Sequence, residues 1–111
     1  MEHCIKDTEG WRIIPQLQTI AEKSRVFDKP AFGAVELMNE LFAENGKEKI
    51  HEITLIGLCT DICVISNAML FKARLPETVI KIDAACCAGV TPERHQNALE
   101  AMRACQIHIE A

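Results

Sequence analysis

The sequence predicts an α/β fold of three layers, αβα, with a parallel sheet, and three observations carry that prediction. Four β-like runs, 25–27, 52–58, 78–82 and 107–109, alternate with helix-like stretches. The second run, Glu52–Leu58, is nearly continuous in apolar residues, as expected of a strand screened from water on both faces. The links are short, which favours right-handed crossovers between parallel strands.

Each element follows from local chemistry. Residues 1–10 read as a loop, and residues 11–20 as a short helix bent near Pro15, whose ring displaces the preceding turn. After the short run Arg25–Phe27, Val35, Met38, Leu41 and Phe42 form an apolar stripe, and Asn45-Gly46 supplies a stop, so a helix is expected to close near Glu44. From Asp61 to about Leu75 the apolar positions Ile65, Ala68, Met69 and Phe71 keep helical spacing, with Lys72 and Arg74 near the C-terminal end and Pro76 stopping the run. Thr91-Pro-Glu93 reads as an N-cap, a proline at the first helical position and an early acid, with Ala98, Leu99, Met102 and Cys105 as the buried face.

Composition limits the function. The 111 residues suffice for one domain, 1–111, and 49% apolar with 25% charged residues is a globular balance. A net charge of −4, only 5% aromatics and no basic block argue against nucleic acid as partner. There is no membrane-length apolar run and no secretion signal, so a cytoplasmic location is expected. Six cysteines, at 4, 59, 63, 86, 87 and 105, are expected to be reduced and mostly core filler. Their spacing lacks the C-x-x-C of zinc knuckles and redox sites, and no glycine-rich nucleotide fingerprint is present.

Two residues stand out as chemistry-bearing. Cys63 follows the strand-like run at the start of a helix, where unpaired N–H groups and the summed peptide dipoles favour a thiolate, and where the backbone N–H groups of Cys59 and Cys63 are available to an oxyanion. The same spacing fits a buried helix cysteine. Lys29 lies just past Arg25–Phe27 and before Pro30; as a strand-end residue it shares with Cys63 the sheet edge where ligands bind, and its charge would favour the thiolate. A solvated surface lysine fits equally well. The histidines are scattered, with His51 and His108 beside strand runs and His95 on the exposed face of the last helix.

Gly57-Leu-Cys-Thr-Asp-Ile-Cys-Val64 resembles the G-x-x-T-D-x-C-V nucleophile segment of the nicotinamidase/isochorismatase-like cysteine hydrolases. Val26-Phe-Asp-Lys29 with Ala31-Phe32 resembles that family's catalytic-lysine segment. His3-Cys4 with Thr8 and Gly10 resembles its H-C-x-x-G-T-x-G stretch, with Asp7 in place of the glycine before the threonine, and Asp83-Ala84-Ala85 resembles a strand-end D-A segment. The resemblance implies an isochorismatase-like αβα fold, a non-proline cis peptide before Cys59, and amide C–N hydrolysis through a thioester, with Cys63 as nucleophile and Lys29 beside it. It implies no cofactor required for the chemistry, although some nicotinamidases bind a divalent metal (zinc, manganese or iron), for which His3 matches one ligand.

The family's triad aspartate precedes the H-C segment, and this sequence begins two residues before that segment. The expectation is therefore a partial domain lacking the first strand and helix, acting on a small amide with impaired catalysis, and either self-associating or completed by an N-terminal segment. A non-catalytic binding or assembly module derived from the same fold is the alternative.

Overall fold

The computed structural model describes residues 4–110. His3, the candidate metal ligand, lies outside them. Two single-turn 3-10 helices, Glu9–Trp11 and Pro15–Leu17, precede a short helix α1 (Gln18–Glu22). The expected helix over 11–20 is thus broken, because Pro15 opens a new turn instead of bending a continuing one. Then follow α2 (Val35–Lys47), β1 (Glu52–Leu58), a wide helical turn Thr60–Val64 running into α3 (Ile65–Arg74), β2 (Val79–Ala88), α4 (Pro92–Ala104) and β3 (His108–Glu110).

The architecture is α/β with a parallel three-stranded sheet in the order β1-β2-β3. Ile80 and Ile82 of β2 are buried beneath Ala68 and Phe71 of α3 and Ala98, Leu99 and Met102 of α4, and Met38 of α2 closes the cluster. On the central strand Lys81 reaches Glu52 at 3.0 Å and Glu110 at 3.3 Å, joining both outer strands; these two carboxylates hold its ammonium above the usual lysine range.

Several local expectations are corrected. Arg25–Phe27 has no regular secondary structure and pairs with no strand among the described residues; Arg25 instead grips Glu44 of α2, at 2.6 Å from Nη1 to Oε1. Helix α2 passes through Asn45-Gly46 to Lys47, because Gly46 keeps helical geometry while Asn45 Oδ1 accepts from the Ile50 N–H at 2.8 Å and directs the chain after the helix. Val35 and Phe42 of its stripe are exposed, and Phe42 carries the Arg74 guanidinium 3.8 Å above its ring.

β1 is not covered on both faces. Its residues alternate between exposed and half-buried, and Ile56 and Leu58 are 64% and 69% exposed. β2 runs ten residues, so Asp83-Ala84-Ala85 lies within the strand and not at its end. None of the six cysteines is bonded to another, and none is fully buried; Cys105, expected on the buried face of α4, is exposed. The packing role goes to Ile107, 2% exposed.

Candidate active site around Cys63

The backbone leaving β1 turns sharply. Gly57 has φ +121°, a region that side chains rarely enter, and the Leu58–Cys59 peptide is cis, as the resemblance implies. Cys59 O then accepts from the N–H groups of Ile62 at 3.0 Å and Val64 at 3.1 Å, closing the wide turn that carries Cys63 ahead of α3.

Lys29 and Cys63, 34 residues apart in sequence, meet: Nζ lies 3.3 Å from Sγ. The ammonium also donates to Ala31 O at 3.2 Å. Lys29 is exposed and the sulfur half-buried, so solvent and small molecules reach the pair from the lysine side. Next to it lies a cavity of about 940 Å³ whose wall includes Trp11, Phe27, Asp28 and Lys29. Cys63 is not part of that wall; Lys29 is the residue common to both.

Other thiols have different surroundings. Cys86 donates to Asp83 Oδ2 at 3.5 Å, and that hydrogen bond with the carboxylate's charge raises its pKa; burial raises that of Cys87. Both are held toward the neutral thiol.

Sequence reasoning missed the groups that fasten this turn. Thr60 is fully buried with Oγ1 2.7 Å from His95 Nδ1, so His95 is half-buried and partnered, not on an exposed face. Asp61 accepts from the Val90 N–H at 3.1 Å, and its Oδ2 lies 2.7 Å from Arg94 Nε in an ionic contact without an aligned hydrogen bond. Gly89 permits this approach, since a Cβ there would stand 2.9 Å from the His95 backbone nitrogen. On the other flank Asn67 accepts from the Ala34 N–H at 2.7 Å and donates to Cys63 O at 3.0 Å and Phe32 O at 3.3 Å. A hydrophilic residue four places after the cysteine, one helical turn on, was the available signal.

The comparisons with known proteins agree with this architecture. A family model for the isochorismatase domain matches residues 1–110. The chain belongs to the isochorismatase family. Solved structures superpose on it: nicotinamidase/pyrazinamidase PncA from Bacillus subtilis has a TM-score of 0.77 at 26% identity, with 100% of this chain matched to 63% of that one. The nicotinamidase SaPncA from Staphylococcus aureus gives 0.77 at 23% identity, over 96% of this chain and 69% of that one. Pyrazinamidase of Pyrococcus horikoshii, solved in complex with zinc, gives 0.75 at 22% identity, over 98% and 61% respectively. The chain therefore spans 61–69% of the length of these proteins. Among the described residues no group of three or more His, Cys, Asp or Glu side chains is arranged to hold a metal ion. Nor, among them, is any helix long and apolar enough to cross a membrane.

Proposed function

We propose that the chain carries the nucleophile and lysine of an amide C–N hydrolase site acting on small carboxamides. The observation that supports this most directly is the 3.3 Å contact of Lys29 Nζ with Cys63 Sγ, within an isochorismatase-family fold whose relatives include nicotinamidases.

In this reading the Cys63 sulfur attacks the amide carbonyl carbon; the S–C bond forms and the carbonyl electron pair moves to oxygen. Backbone N–H groups of Cys59 and Cys63 bind that oxyanion. Its collapse breaks the C–N bond and leaves a thioester, which water hydrolyses to a carboxylic acid and the free thiol. Lys29 stabilises negative charge on sulfur before attack and after release.

The proton lost from sulfur must reach the departing amine. Among the described residues no carboxylate hydrogen-bonds Cys63 or Lys29, so turnover by these residues alone is expected to fall short of a site with a placed acid–base by about 10²–10⁴-fold. That same observation favours the second reading, a binding or assembly module that retains the geometry without turnover.

The deciding measurement is ammonia release from nicotinamide and a panel of small aliphatic and aromatic amides. Release is expected, and is expected to disappear in Cys63→Ala. Release that survives this substitution overturns the proposal. If no amide is turned over, stoichiometric alkylation confined to Cys63 near neutral pH argues against an inert module, and a rate equal to that of a model thiol favours one.

A further inference from the structure

Lys29 sits on a segment with no ladder partner among the described residues, between Arg25–Phe27 and the start of α2. An exposed lysine on such a segment loses rotamer entropy when it is held against one sulfur, so the 3.3 Å contact requires that something fix the segment to the Cys63 turn. The Arg25–Glu44 ion pair anchors the segment's beginning to α2, but both partners are largely exposed and such pairs contribute little.

The Asn67 carboxamide is different. It is half-buried, it lies on α3 one turn after Cys63, and its three hydrogen bonds reach both parts of the site. The oxygen accepts from Ala34 N–H, where Ala34 itself is buried; the nitrogen donates to Phe32 O and to Cys63 O. One planar group thus spans the lysine segment and the nucleophile turn. Its planarity also fixes the relative orientation of these partners, because the donor and acceptor directions of an amide cannot be varied independently.

We propose that Asn67 is the positioning residue of this site, setting the Lys29–Cys63 contact by tying residues 32–34 to the Cys63 carbonyl. The inference rests on the reading of Cys63 as a thiol activated by Lys29, and goes beyond it in naming what holds the pair together. Asn67 touches neither the sulfur nor the ammonium in a hydrogen bond, so its effect passes through Lys29. Other charged or titratable groups around the turn, Asp61 within it and Arg94 and His95 from α4, make hydrogen bonds and ion pairs that do not involve Asn67.

The test is a double-mutant cycle on the 111-residue chain, read as the rate at which iodoacetamide, a neutral reagent, alkylates Cys63 at pH 7, with the site assigned by peptide mapping. Lys29→Met is expected to slow alkylation, and Asn67→Ala to slow it by at least about fivefold with Lys29 present. In the Lys29→Met background Asn67→Ala should have no further effect. Asn67→Gln keeps the amide but moves it by one methylene, and is expected to behave in the same way; it serves as the probe should Asn67→Ala lose the far-ultraviolet helical signal. Equal slowing with and without Lys29 overturns the proposal, since a merely structural role acts independently of the lysine. So does an unchanged rate in the Asn67 variants while Lys29→Met is slow. If Lys29→Met itself alkylates at the wild-type rate, the activated-thiol reading fails and the positioning role falls with it.

Discussion

Thr60 shows how a single side chain fixes a functional turn. Its side chain is fully buried, and among the described residues the hydroxyl's partner is His95 Nδ1 at 2.7 Å, so removing the hydroxyl leaves a ring nitrogen on a half-buried histidine without this bond. Thr60→Val is nearly isosteric and is expected to destabilise the fold by about 1–3 kcal/mol, measured as a lowered urea midpoint. Thr60→Ser keeps the hydroxyl and should lose much less. Val90 N–H and Arg94, from the adjacent loop and helix, hold Asp61 of the same turn, so Thr60→Val should leave the chain folded. The Thr-Asp pair was visible in the sequence as part of a motif, but its partners on α4 were not, because 35 residues separate Thr60 from His95.

The last helix is the element whose limits followed most directly from local residues. Thr91 Oγ1 accepts from Arg94 N–H at 3.1 Å and Pro92 occupies the first turn, because a cap satisfies an otherwise orphaned donor and proline has none to satisfy. Its other end is a left-handed cap. Gln106 has φ +66°, its N–H donates to Arg103 O, and Ile107 N–H donates to Met102 O, both at 3.0 Å, while the Ile107 side chain is buried. Glycine favours this conformation, so Gln106→Gly is expected to raise stability by about 0.5–1 kcal/mol, seen as a higher thermal midpoint. Gln106→Val should lower it. Helix α2 taught the opposite lesson: Asn45-Gly46 resembles a stop, yet a glycine compatible with helical dihedrals is passed through when the following backbone finds its partners later, here through Glu48 N–H to Glu44 O at 2.9 Å.

For the molecule as a whole, the sheet is the exposed element. β1 is an outer strand of the described sheet, and Ile56, Leu58 and Val79 are 64%, 69% and 47% exposed. An outer strand with unpaired backbone groups and apolar side chains is a template for association. Concentration-dependent self-association is expected in sedimentation velocity, and Ile56→Lys is expected to shift the distribution toward monomer. A wild-type chain that sediments as a monomer across the range from micromolar to several hundred micromolar contradicts this. The apolar run predicts a strand covered on both faces because hydrophobicity reports which residues favour burial; it does not report what is present to bury them.

The sequence by itself determined the α/β class, the positions of β1, α3 and α4, the N-cap of the last helix, and the family to which the motif segments point. These depend on interactions between residues a few positions apart or on side-chain periodicity, which a linear string records. Only the tertiary structure decided that Lys29 lies against Cys63, that Asn67 bridges their segments, that His95 is the partner of Thr60, and that β1 has an open face. Those depend on which surfaces the chain brings together across tens of residues, and hydrogen-bond geometry between them exists only once the backbone has folded.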